Sequence, residues 1–374
     1  MESYKLDSKV IEEDKEYLIQ TISDLKEGVI KTSLFLNGEL LDSNVLPHDD
    51  KIGESDLLNL VKTTHGDRKL ELEYLLKSFK DVISGGEPEM MYHLGTALLY
   101  RRMYSQAKQL FQAAVKQKPD YHEAYFLLAQ SELASGRIDA AVKAGIKAVE
   151  LQSQFADYRN LLGEIYLEAG SCKRAVIELE EAIKRNIYYA DAYFNLAIAY
   201  ILNAINREDF EMYPDLASRT TETLKKAILT NPNYKTSAYD EAIASLASGQ
   251  LKRACTLLKA VREEKKEIFR QQKSANSNRF LMYGEGISYN SIIERIDRLE
   301  KEIDKNPGYV DLYNELAICY LHQARSSWQR GIDRFKKALE INPQLSQIRR
   351  SLDLTEEYLL KLNDTIHDIT GKQS

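Results

Sequence analysis

The chain has 374 residues, 44% of them hydrophobic, enough for two domains or one long array. Its 51 Lys and Arg are interspersed with 57 Asp and Glu for a net charge of −6, so no basic stripe marks a nucleic-acid surface. Residues 1–20 lack the apolar stretch of a secretory signal, and no run of about 18 apolar residues occurs. Membrane insertion is therefore not expected, and a cytoplasmic location is. The three cysteines, Cys172, Cys255 and Cys319, are odd in number and far apart, which fits reduced packing residues better than a disulfide framework.

In chain order, Val10, Ile11, Leu18, Ile19, Ile22 and Leu25 fall on one helical face and predict a helix over about residues 8–25. Next, VIKTSLFL and ELLDSNVL flank Asn37-Gly38, the pair that best takes the two positive φ angles of a type I′ turn. That register sets Leu34 against Leu41 and Ile30 against Val45, with Phe35 against Leu40 and Val29 against Leu46 on the other face. A lone hairpin is marginal in water. It therefore packs on the flanking helices, the second over about residues 54–83, or keeps an edge open for strand addition. Residues 1–86 are expected to be one non-repeating segment of helix, hairpin and helix.

From Pro88 a 34-residue period takes over. Leu94-Gly95, Leu128-Ala129, Leu162-Gly163 and Leu196-Ala197 align, followed by Ala107, Ala141, Ala175 and Thr220, then Ala114, Ala148, Ala182 and Ala227. Small residues at such columns let two antiparallel helices approach closely. Phe111, Leu179 and Leu224 fill one large apolar column; Leu98, Tyr166 and Tyr200 fill another. Gly136 and Gly170 mark turns, and Pro119 and Pro232 mark helix ends. Clear units begin near Pro88, His122, Ala156 and Ala190, a degenerate one near Lys235 and a further one near Val310. The last has its small columns two residues too far apart, which predicts a longer turn around Ala324 to Trp328.

MMYHLGTALLYRRMYSQAKQLFQAAVKQKPDY and DAYFNLAIAY resemble the tetratricopeptide repeat (TPR), a 34-residue helix-turn-helix unit. The resemblance implies an all-α fold over residues 87–374: a right-handed TPR superhelix, an α-solenoid of antiparallel helix pairs with six to seven units and a C-terminal capping helix. A small α+β segment with one β-hairpin precedes it. In this family the first helix of each unit lines a concave groove through its second, fifth, sixth, ninth, twelfth and thirteenth positions. Carried onto this chain, those positions give a partner-binding groove of Tyr92, Thr96, Phe126, Gln130, Asn160, Glu164, Phe194, Asn195 and Ile198. Aromatic anchors with a few amides suit capture of a peptide or helix. Family members that clamp a terminal carboxylate carry Lys, Asn and Arg here, and Tyr92, Phe126, Asn160 and Phe194 supply no cation. The acidic second column, Glu89, Glu123, Asp157, Asp191 and Asp311, is explained by the helix dipole.

Departures from the period fall at 203–217, where Phe210, Met212 and Tyr213 offer accessory contacts, and at 274–292. The second is either a disordered connection or a docking plug of Phe280, Leu281, Met282 and Tyr283. Before it, VREEKKEIFRQQK continues a helix in which Glu263 with Lys266 and Glu267 with Arg270 form pairs on a solvated surface. No two of the six histidines have i, i+4 spacing, no Cys-x-x-Cys occurs, and Gly284-Glu285-Gly286 lacks the rest of a phosphate loop. His65 beside Asp67 reads as a polar break in a helix. No catalytic residue, metal or cofactor is expected. The sequence favours a non-enzymatic scaffold for a protein or peptide partner, in a bacterial cytosol; the alternatives are a ligand-responsive regulator and a self-assembling subunit.

Overall fold

The computed structural model describes residues 3–12, 14–49, 52–206, 215–276, 289–305, 310–342 and 344–371. The chain divides into two compact units, Met1–Phe280 and Leu281–Ser374. The first opens with four strands, β1 (Lys5–Glu12), β2 (Lys15–Asp24), β3 (Val29–Leu36) and β4 (Glu39–Pro47), joined in sequence order as an antiparallel meander. Helix α1 (Glu54–Gly85) packs on β1, β2 and β3 through the stripe Leu57, Val61, His65, Arg68 and Leu72.

The helix expected over residues 8–25 is instead the β1–β2 hairpin. Burial alternates strictly along β2, with Tyr17, Ile19, Thr21 and Ser23 turned inward. Two of those four are polar, so the period of two is hidden in the hydrophobicity, while outward Leu18 and Ile22 mimic a helical stripe. Hydrogen bonds make the polar positions tolerable: Thr21 Oγ1 lies 3.1 Å from Thr32 Oγ1 and 3.0 Å from His65 Nδ1, and His65 Nε2 lies 2.8 Å from Ser8 Oγ. His65 is thus a packing residue between sheet and helix.

The β3–β4 hairpin forms at Asn37-Gly38, whose φ angles of 50° and 88° are both positive. Phe35 opposes Leu40 as expected, but a bulge follows. Leu34 faces Asp42, Ile30 faces Leu46 and Val29 faces Pro47, one residue beyond the simple register. Through the bulge, Leu41 and Asp42 are both buried. Of the two covers expected for this hairpin, α1 supplies one; β2 stands where the other helix was expected.

Four helix pairs follow: α2 (Pro88–Tyr100) with α3 (Tyr104–Gln117), α4 (His122–Ala134) with α5 (Ile138–Leu151), α6 (Ala156–Glu168) with α7 (Cys172–Arg185), and α8 (Ala190–Asn206) with α9 (Leu216–Thr230). Each begins where the 34-residue period places it. The small columns are close approaches: a Cβ on Gly95 would lie 2.7 Å from Phe111 and one on Gly163 2.6 Å from Leu179. Gly136 (φ 71°) and Gly170 (φ 70°) end the first helices of their pairs in the left-handed conformation.

A fifth pair, α10 (Ser237–Ala247) and α11 (Leu251–Asn276), follows a short 3₁₀ turn at Pro232–Tyr234. Here α11 lies against α8 and reaches back to α2. Cys172 and Cys255 are buried thiols, and Asn206 Nδ2 donates to Cys172 Sγ at 3.6 Å.

In the second unit, α12 (Tyr289–Lys305), α13 (Val310–Ile341) and α14 (Ser346–Gly371) pack in succession, with Ile292, Ile296, Leu299 and Cys319 at the core. The turn expected around Ala324 to Trp328 is absent: α13 is continuous over 32 residues. The two extra residues between its small columns are taken up within one helix. Phe280 to Tyr283, read from the sequence as either a disordered connection or a docking plug, lie outside the described residues.

Candidate protein-binding face

The first helices α2, α4, α6 and α8 are successive neighbours and present one continuous face. On it, Tyr92, Thr96, Phe126 and Gln130 of the first two pairs are partly exposed. Further along, the same columns close up. Asn160, Glu164 and Asn195 are buried, and Phe194 and Ile198 have no exposed surface. Phe194 and Ile198, expected as groove residues, are core residues in this structure. Phe210, Met212 and Tyr213 lie outside the described residues.

Much of the aromatic column is used by the next unit in line. Tyr92 lies 5.3 Å, centroid to centroid, from Tyr121; Phe126 stacks on Tyr158 at 4.7 Å and Phe194 on Tyr234 at 4.4 Å. Asn195 Nδ2 donates to Asn160 Oδ1 at 3.0 Å, and Asn160 Nδ2 donates to the Tyr189 hydroxyl at 3.3 Å. Burial raises the Tyr92 phenol to about 12, so it stays a neutral donor at neutral pH.

What closes the far part of the face is α11. Its first half is apolar: Ala254, Cys255, Leu258 and Val261 join a core containing Phe194, Ile198 and Tyr234. Its second half is bound by charge. Arg262 donates to Glu168 at 2.9 Å, Lys266 pairs with Glu164, and Arg102 pairs with Glu267 at 2.6 Å. Arg270 bonds Asp42 at 3.0 Å and the Tyr100 carbonyl oxygen, while the Phe269 ring lies edge-on to Tyr100 at 6.5 Å. Glu164 stands at the ninth position of its unit, and Tyr100 and Glu168 at the thirteenth, positions that the family resemblance assigns to the groove.

A buried ionic cluster ties this region to the sheet. Asp42 accepts from Arg68 at 2.6 Å, and Glu71 accepts from Arg68 at 2.6 Å and from Arg101. Burial alone would raise both carboxyls, but the guanidinium groups outweigh it. Arg68, Arg270 and Arg101 hold Asp42 below its ordinary range, and Arg101 and Arg68 bring Glu71 to about 2. Hydrogen bonds from Arg270 are the largest influence bringing Glu267 to about 2.

Arg101 and Arg102 carry no signal in the repeat pattern except as departures from it. Arg102 occupies the turn column of Gly136 and Gly170, and with φ 59° it is a non-glycine in the left-handed region. That conformation costs about 1–2 kcal/mol for an L-residue. In exchange the turn carries a side chain that reaches Glu267, where glycine would offer none. Among the described residues, no group of His, Cys, Asp and Glu is arranged to hold a metal ion, and no helix is long and apolar enough to cross a membrane.

Residues 92–154 and 131–182 match the family model of the tetratricopeptide repeat. No curated protein matches the sequence. Among solved structures, MamA is 20% identical over 45% of this chain and 91% of its own, with a TM-score of 0.34. TTC0263, a thermophilic TPR protein in Thermus thermophilus, is 21% identical over 51% and 98%, with a TM-score of 0.37. YrrB, described as a TPR protein with an unusual peptide-binding site, is 12% identical over 53% and 97%, with a TM-score of 0.36. The matched repeats lie on the helix pairs from α2 to α7, so residues 92–182 of this chain carry tetratricopeptide repeats.

Proposed function

We propose that this chain is a non-enzymatic protein-interaction scaffold that binds a helical or peptide segment of a protein partner along the face of its first helices. The observation that carries the reading is the partly exposed set Tyr92, Thr96, Phe126 and Gln130, aligned on adjacent helices and fixed from behind by Tyr121 and Tyr158. Rings held by stacking lose little freedom on binding, so the partner bears most of the ordering cost. Amphipathic aromatic side chains with a hydroxyl and an amide alongside match the composition of protein interfaces.

A photo-crosslinking residue at Gln130, compared with one at exposed Ile177 on α7, tests the assignment in the native host. Adducts with a defined protein from position 130 and not from 177 are expected. Equal labelling from both positions, or none from 130, removes the face from consideration.

A further inference from the structure

Helix α11 changes character along its length. Up to Val261 it buries alanine, cysteine, leucine and valine. Beyond that point the polarity inverts. Arg262 and Ser274 are buried, whereas Ile268 and Phe269 are 41% and 50% exposed. A helix docked for good by the hydrophobic effect would show the opposite order. The distal half is held by ion pairs in place of apolar contacts; Lys266 and Arg102 are 40% and 34% accessible, while Arg262 and Arg270 are 7% and 13%. It touches the sheet at Asp42, which Arg270 reaches at 3.0 Å and Ser274 at 3.4 Å. Beside that contact a cavity of about 520 Å³ opens between the helix and β4, lined by Leu40, Asn44 and Val45 on one side and by Arg102, Glu267 and Gln271 on the other.

The cations of this half recur at every fourth residue, Arg262, Lys266 and Arg270, one per helical turn. They meet Glu168, Glu164 and Asp42 in turn. Removing the helix would leave an acidic track, Glu168 and Glu164 at the family's thirteenth and ninth positions, continuing onto β4 at Asp42, which stays paired with Arg68. Such a track selects a ligand by charge spacing.

We propose that the distal half of α11 is a displaceable internal occupant of the first-helix face, and that the ligand replacing it is a partner's amphipathic helix carrying cations at i, i+4 and i+8. The inference rests on that face being a protein-binding surface, and it adds the chemistry of the ligand and the need to displace α11. The internal helix holds the site at high effective concentration, so a competitor must bind more tightly or arrive when the ion pairs are weakened.

Hydrogen exchange on the intact chain tests the displacement without any partner. Residues 262–274 are expected to exchange at least tenfold faster than residues 254–261, and Lys266→Glu should widen the difference. Glu164→Gln removes the same pair from the opposite side and should have the same effect, which guards against a folding defect of either variant. Equal protection along all of α11, unchanged in both variants, overturns the proposal and leaves the assignment of Tyr92, Phe126 and Gln130 to crosslinking at Gln130. The ligand chemistry is tested with a labelled synthetic peptide of residues 258–276. It should bind Lys266→Glu at least tenfold more tightly than the wild type, and a peptide with Glu at 262, 266 and 270 should not bind. Equal affinity for the two proteins, or for the two peptides, also overturns it.

Discussion

Phe126 and Phe194 occupy the same column, each one repeat away from Asn160, yet they stand in different environments. Phe126 keeps part of its ring exposed over Tyr158, while Phe194 is sealed between Tyr234 and the apolar half of α11. Phe194→Ala is therefore a core truncation and should cost about 3–5 kcal/mol. Phe126→Ala should cost less than half of that. Urea unfolding followed by circular dichroism separates the two, and a Phe194→Ala loss below about 1 kcal/mol would place that ring at the surface. The sequence made the two phenylalanines equivalent because column position encodes register within a unit. Burial also depends on what a distant segment lays over the unit.

Among the elements, the helix pairs were legible from Pro88 to Thr230 because close helix approach leaves a physical mark, a glycine where a Cβ would collide and an alanine where anything larger than a methyl would. The first hairpin was not legible, because Ser8, Thr21 and Ser23 face inward and are satisfied by His65, Thr32 and backbone groups that no local pattern announces. The course of α11 was missed for a related reason. Glu263 with Lys266 and Glu267 with Arg270 do pair as expected, at 3.5 and 2.8 Å. The same cations also reach acids more than 100 residues away in sequence. A regular fourth-residue spacing of Arg262, Lys266 and Arg270 was the available signal.

The junction of α1, the sheet and the first repeat carries a pH dependence with a defined sign. The folded-state pKa of Glu71 is about 2 against an ordinary 4.5, so its contribution is fully present above about 4.5 and is lost as pH falls from there through about 2. The shift corresponds to about 3 kcal/mol. Glu71→Gln resembles the protonated acid in shape and charge. The stability gap between wild type and Glu71→Gln should therefore be widest near neutrality and close as pH is lowered from 4.5 toward 2. A gap independent of pH over that interval would mean that Glu71 acts through shape and hydrogen bonding rather than charge.

For the whole array, one irregularity inside the period decides how the units follow one another. The large column reads Phe111, Gly145 and Leu179, so the second unit has a vacancy where its neighbours have bulk. The space is filled from the next unit: a Cβ on Gly145 would lie 3.2 Å from Ile165 and 3.3 Å from Leu162. Ile165 is itself out of pattern, standing in a column otherwise held by Ala97, Ser131 and Ala199. The two deviations cancel across a boundary. Gly145→Leu, which makes the sequence more regular, should consequently lower stability by about 1–3 kcal/mol, measured as a fall in melting temperature; a rise would show that the vacancy is unfilled. The consequence reaches beyond one position. Units that complement each other this way cannot be shuffled, duplicated or deleted by whole periods, because the second fits only in front of the third. The order of the array is written into its exceptions, and any lengthening of this protein by repeat duplication would have to begin outside that pair.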